Sequence, residues 1–275
     1  MKKIFAVLAV LLAFGLSACS QSVYEVKEGN TLVVGLEAAY APYNWTTTTP
    51  NDFTKPISGQ KGAYVDGYDV VVASKIAEDL GLVLEIKAIE WDGLIPALQA
   101  GTIDVIIAGM SPTSIRKETV NFSTEYYRAT QVMVVRTDST YKDATSISDF
   151  AGANVIAQLG TLQDDLIDQI EGVVHGTALD SYNAITNAVS SGVSDAFIAE
   201  LPVAISITTS NTQLTYIEFE GDNGFEVLEE DVVTAVAVRK ADTALLEAIN
   251  GVLATLSTET KEAWMTASVS RANAN

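Results

Sequence analysis

The stretch GTIDVIIAGMSPTSIRKETVNFSTEYY, residues Gly101 to Tyr127, carries the most informative single group in the chain, the guanidinium of Arg116. The apolar run Ile103 to Ala108 reads as a buried strand, followed by the small residues Gly109 and Ser111 and a loop ending at Arg116. Arginine offers a rigid fork of donors matched to a carboxylate. Glycine and serine beside it let backbone N–H groups and a hydroxyl approach the same anion. The combination suits capture of a small carboxylate ligand.

Outward from this strand, short apolar runs alternate with helical patterns, the signature of α/β architecture. Leu32 to Leu36 is a first strand; Val72, Ile76 and Leu80 recur every four residues, giving a helix that stops at Gly81. Val83 to Ile86 is the next strand, and Trp91, Leu94, Ile95 and Leu98 stripe a second helix. A new series begins after the 130s. It has strands Val155–Ala157, Val173–Val174 and Ala196–Ala199, with helices over Leu162–Ile170 and Ser181–Val189 between them. Strand Val232–Val238 and a helix striped by Leu245, Ile249, Val252 and Leu256 close the pattern. Thr46 to Gly62, with four consecutive threonines and two prolines, reads as an exposed loop.

The N-terminus is a targeting segment. Lys2 and Lys3 precede an apolar stretch from Ile4 to Leu16, and Leu16-Ser17-Ala18-Cys19 looks like a bacterial lipoprotein cleavage and lipidation box, so residues 1–18 read as a signal peptide. Cys19 is the only cysteine, which excludes an intrachain disulfide and leaves it as the expected lipidated residue, anchoring the protein to a membrane. About 250 residues follow, enough for one large or two small domains. The formal charge of −19 argues against nucleic acid or an anionic membrane as a partner and favours a cationic ligand at long range. One histidine, His175, excludes a multi-histidine zinc site, and no G-x-S-x-G elbow or phosphate-binding G-x-x-x-x-G-K-[ST] loop occurs. No cofactor or metal is expected.

The run D-V-I-I-A-G-M-S-P-T-x-x-R followed by F-S-x-x-Y-Y resembles the bacterial extracellular solute-binding proteins of family 3, the polar amino-acid receptors of ABC importers. The resemblance extends from about Thr31 to Trp264. It implies a type II periplasmic-binding-protein-like α/β fold: two lobes joined by two hinge segments, Gln131–Val135 and Val232–Val238, with the ligand cleft between them. Residues 19–129 and 236–275 would form a discontinuous first lobe and residues 130–235 the second. It also implies a monomeric receptor for a free L-amino acid, working with permease and ATPase subunits that are separate chains.

An amino acid presents a carboxylate, an ammonium and a side chain. Arg116, with Ser111 and the backbone near Gly109, is expected to hold the carboxylate, and by resemblance Thr161 in Q-L-G-T-L-Q adds a donor from the second lobe. The segment D-A-F-I-A-E resembles the family's D-A-x-x-x-[DE] and gives Glu200 the ammonium. E-A-A-Y-A-P-Y resembles the motif after the first strand, so Tyr40 would stack on the ligand side chain, with Tyr68 of G-Y-D on the opposite side. Glu37 would meet the distal group, and Gln163 would reach the same end. An acid at Glu37 suits arginine or lysine and also glutamine, so the ligand stays open between them. Two departures occur: Val71 stands where the motif has an acid, and Leu162 replaces a small polar residue of several relatives. Enzymes of the cyclohexadienyl or arogenate dehydratase type share this fold, and a ligand-sensing module is a third class. His175 is the lone histidine base available to the enzyme reading.

Overall fold

The computed structural model describes residues 23–274, so the signal peptide and Cys19 lie outside the described residues. From the N-terminus, β1 (Thr31–Leu36) is followed by four short strands, β2 (Ala39–Tyr40), β3 (Asn44–Thr47), β4 (Lys55–Pro56) and β5 (Tyr64–Asp66). Next come α1 (Tyr68–Asp79), β6 (Val83–Ala88), α2 (Leu94–Gln99), β7 (Val105–Ile106), α3 (Ser114–Thr119) and β8 (Val120–Arg128). The chain continues through β9 (Gln131–Arg136), β10 (Asn154–Ile156), α4 (Leu162–Ile167), β11 (Val174–His175), α5 (Tyr182–Ser190) and β12 (Ala196–Glu200). The last elements are α6 (Leu201–Ser210), β13 (Leu214–Ile217), β14 (Val233–Arg239), α7 (Thr243–Leu253) and α8 (Thr258–Ala272).

Two five-stranded sheets organise these elements, in the orders β6-β1-β7-β14-β8 and β11-β10-β12-β9-β13. Each repeats one plan. Three strands alternating with helices pair in parallel, the first of them in the middle, and an antiparallel strand, β14 or β9, completes the inner sheet. Crossing between the two sheets happens at Ala129 and Val232, where the Ala129 N–H donates to the Val232 carbonyl at 3.0 Å. The extended segments expected as hinges are therefore strands of the sheets on either side. From Val233 on, β14 pairs with β8, so Val233–Ala235 join the first sheet, not the second lobe.

The helix expected to stop at Gly81 ends on a left-handed glycine (φ 66°). There the Leu82 N–H reaches the Ala77 carbonyl at 2.7 Å and the Gly81 N–H that of Glu78 at 3.1 Å. These are the paired bonds of a Schellman cap, which only a residue tolerant of positive φ completes without strain. Alternation along β9 sends Val132 and Val134 into the larger core and Met133 and Val135 into a second core on the far face of their sheet.

Two expectations fail locally, and one helix, α8, was not foreseen. The 46–62 segment contributes strands to a small sheet ordered β2-β3-β5-β4, and it buries Ile57 against Ile86. Its composition hides this because its few apolar anchors are scattered among polar residues. The loop ending at Arg116 is instead a helix, α3, capped by Thr113, whose hydroxyl accepts from the Arg116 N–H at 3.4 Å. Helix α8 lacks a clear apolar stripe; it is held by Arg271, whose guanidinium grips the buried Asp66 at 2.9 and 3.0 Å.

Candidate functional site

Strand ends place the functional side chains. In the first lobe, β1 runs into Glu37, and β7 leads through Gly109 and Ser111 into α3 and Arg116. Facing them, β10 runs into the loop Gln158–Thr161 and β12 ends on Glu200. All four lie at the carboxyl ends of β1 and β10 or of their neighbours β7 and β12, where open α/β sheets bind ligands. Tyr40, Trp91, Gly109, Ser111 and Arg116 from one side and Gln158, Thr161, Leu162, Gln163, Tyr182 and Glu200 from the other line a narrow crevice, with about 20 Å³ of space open to water between them.

The Arg116 guanidinium crosses the crevice. One terminal nitrogen donates to the Ser111 carbonyl at 2.9 Å, the other to the Gly160 carbonyl at 3.1 Å. Its plane sits 5.1 Å from the centre of the Trp91 ring, a cation–π distance. Trp91 itself donates to the same Gly160 carbonyl at 3.3 Å. Burial lowers the Arg116 pKa to about 10, opposed by Asp165, Glu200 and Asp231, which leaves a full cation at neutral pH. The sequence signal for Trp91 was its place at the head of the α2 stripe, where it reads equally as a core residue.

Glu200 is buried and accepts a hydrogen bond from the Tyr40 hydroxyl. Burial raises its pKa, and the Tyr40 and Gln163 hydrogen bonds and the Arg116 charge work against that rise. Gln163 also donates to Gln131 at 3.0 Å, so it turns toward Glu200 and the lobe crossing rather than toward the distal end. Thr161 caps α4: its hydroxyl donates to the Gln158 carbonyl at 2.7 Å and accepts from the Asp164 N–H at 3.3 Å. Glu37 stands behind Gln158, whose side-chain amide donates to it at 3.0 Å and to the Asp180 carbonyl at 3.0 Å. Burial pushes Glu37 up to about 7; the Gln158 bond opposes this, and the nearby Glu90 and Asp180 charges add to it.

Two expected contacts are corrected. Tyr68 is not on the crevice: it is fully buried at the start of α1, donates to the Tyr126 carbonyl at 2.7 Å, and meets Tyr43 and Tyr127 edge-on. Trp91 and Tyr182 are the aromatics that join Tyr40 on the crevice instead. The Gly109 N–H is not free for an anion, because it donates to the Tyr126 hydroxyl at 3.0 Å. That hydroxyl in turn donates to the buried Asp69 at 2.7 Å. Glycine is required there for space and conformation: φ is 64°, and a Cβ would come within 2.9 Å of the Tyr40 ring. His175 lies outside the crevice lining, clamped between Asp168 at 2.8 Å and Asp164 at 3.0 Å.

Among the described residues no His/Cys/Asp/Glu group is arranged to hold a metal, and no helix is long and apolar enough to cross a membrane. Residues 32–266 match the family model for bacterial extracellular solute-binding proteins, family 3. The arginine-binding extracellular protein ArtP of Bacillus subtilis is 29% identical over 261 residues, 92% of each chain. An amino-acid ABC transporter substrate-binding protein from Streptococcus pneumoniae, solved bound to L-arginine, superposes with a TM-score of 0.76 at 28% identity, covering 88% of this chain and 94% of the other. The arginine-bound truncated ArgBP of T. maritima gives a TM-score of 0.68 at 33% identity, covering 83% and 97%. The two-lobed architecture is thus the type II periplasmic-binding fold, and the chain belongs to the bacterial extracellular solute-binding proteins, family 3.

Proposed function

We propose that the chain captures a free polar L-amino acid, arginine or lysine before glutamine, by closure of its lobes and hands it to the permease of an ABC importer. The observation that carries this is the entry of Arg116 and Glu200 into one enclosed crevice from opposite lobes, with Glu37 buried beyond. Arg116 and the Ser111 hydroxyl take the α-carboxylate and Glu200 the α-ammonium, while Tyr40 and Trp91 flank the side chain, whose distal group meets Glu37. Groups that bind opposite ends of one ligand from opposite lobes couple binding to closure. The names of the relatives support the ligand class: B. subtilis ArtP is an arginine binder, and the S. pneumoniae relative was solved with L-arginine. Leu16-Ser17-Ala18-Cys19 supports a lipid anchor at Cys19 on the outer face of the cell membrane. In this reading the receptor acts as a monomer, and permease and ATPase are separate chains.

The test is a thermal-shift and calorimetric screen of the form lacking residues 1–19, unfolded and refolded to strip ligand, against the common amino acids. Ligand at about a thousandfold over its dissociation constant stabilises the protein by about 4 kcal/mol. Arg116→Ala should weaken every amino-acid ligand by about 30-fold or more, because it strands a charged carboxylate in a buried site. No shift with any amino acid would overturn the reading. Normal binding by Arg116→Ala would overturn the carboxylate site alone.

A further inference from the structure

Among the polar side chains that line the crevice, the hydroxyl of Tyr182 is the one buried without a hydrogen bond. The residue opens α5, whose N-terminus is fixed by Ser181 accepting from the Ala184 N–H at 3.4 Å. Its ring packs on Tyr40 with centroids 4.8 Å apart and stands edge-on to Phe197 at 6.3 Å, which leaves the residue 5% exposed. The ring is thus held from both lobes, and its direction is set by packing.

The hydroxyl, in contrast, is shut away from solvent without a hydrogen bond of good geometry. It leans toward the Tyr40 hydroxyl, but that group is committed to Glu200. The two carboxylates that bear on it are Glu200 and Glu37, one at each end of the proposed ligand path. A buried hydroxyl with no partner weakens a fold, and phenylalanine would fill the same volume without that cost. Where it stands the oxygen adds little to the fold, and it is available to a molecule in the crevice.

We infer that Tyr182 is a specificity-determining residue, its hydroxyl hydrogen-bonding the nitrogen-bearing end of a bound amino-acid side chain; this rests on the amino-acid reading of the crevice. A hydroxyl donates one hydrogen bond and accepts two, so it takes an N–H from the ligand while donating to a neighbouring carboxylate. A guanidinium brings five N–H donors, and Glu37 already spends one oxygen on Gln158. Tyr182 supplies an acceptor that Glu37 lacks.

The test is Tyr182→Phe, measured by calorimetry with L-arginine and L-glutamine and by melting of the stripped, ligand-free protein. The expected result pairs opposite signs: arginine binds about three- to tenfold more weakly, while the ligand-free melting temperature stays equal or rises. Unchanged affinity for both ligands would overturn the inference, and so would affinity and melting temperature falling together, which marks a merely structural tyrosine. If the unaltered protein bound neither ligand, the amino-acid reading would fall and this inference with it. If it binds and Tyr182→Phe binds equally well, the inference falls alone.

Discussion

Glu37→Gln separates what a buried carboxylate does to the fold from what it does for a ligand. In the folded protein burial raises Glu37 from 4.5 to about 7, and the Gln158 amide only partly offsets this. A group whose folded pKa is raised contributes its full stability below the unfolded pKa and loses it as pH climbs through the folded one. The cost of ionised Glu37 thus grows between about pH 4.5 and 7. At about 1.36 kcal/mol per unit the shift corresponds to roughly 3 kcal/mol, which water entry and relaxation reduce to about 1–3 kcal/mol. Glutamine keeps the carbonyl that accepts from Gln158 but never ionises. Stripped Glu37→Gln and the unaltered protein should therefore melt together near pH 4.5 and diverge above it. By pH 8 the variant should lead by about 2–12 °C, at about 2–4 °C per kcal/mol. Asp69, also raised by burial to about 7, is present in both proteins and cancels in the difference. Melting curves that stay parallel from pH 4.5 to 8.5 would refute the claim that Glu37 is buried against its ionisation.

Gly109→Ala should cost about 1–3 kcal/mol in urea unfolding and weaken arginine binding, because the new methyl, at φ 64°, lands 2.9 Å from the Tyr40 ring. Arg271→Ala removes the paired bonds to the fully buried Asp66 and the contact with Phe53, 4.2 Å from its ring centre. Since Arg271 keeps some exposure, the expected loss is about 2–4 kcal/mol, read by the same unfolding curves.

The alternation of elements was legible because apolar periodicity survives wherever a segment packs on one face. Helix α1 announces its own end at Gly81, and β1 and β14 are continuous apolar runs. What escaped was held by tertiary contacts. Helix α3 is six residues long, too short for periodicity to show, with Ile115 72% exposed. Helix α8 buries only a few scattered residues, Met265 among them, and its ion pair reaches a residue 205 positions earlier. Within the crevice, the charged and capping residues were legible because their chemistry is scarce: this chain offers few cations, and Arg116 lies in a motif. Aromatic roles were not legible. Tyr40, Tyr43, Tyr68, Tyr126 and Tyr127 form a continuous ring network, and nothing in sequence says which of its members faces outward. Tyr68 sits in the middle of that network, while Trp91 lines the crevice apart from it, so assigning a crevice wall to Tyr68 chose a buried ring.

Charge balance in the crevice carries the choice between arginine and glutamine. Arg116 is a cation, and Glu200 and Glu37 are carboxylates, so the ionised site holds one negative charge in excess. A bound arginine brings a carboxylate, an ammonium and a guanidinium, and every charge then has a partner. Glutamine brings no net charge, and Glu37 must either stay ionised without a counter-charge or take up a proton. With a pKa near 7 it takes up the proton at little cost. Arginine affinity should therefore fall as pH drops below 7, approaching about tenfold per unit, because the cation requires the ionised form. Glutamine meets either form, its amide donating to the carboxylate or its carbonyl accepting from the acid. The raised pKa of Glu200 affects both ligands alike, since both present an ammonium, and it cancels in their ratio. Calorimetric titrations should show the arginine-to-glutamine preference falling about tenfold from pH 8 to 6 and about a hundredfold by pH 5. In Glu37→Gln the preference should be smaller and flat across that range. A ratio independent of pH in the unaltered protein would mean that Glu37 does not meet the distal group, and the preference for a cation would need another source.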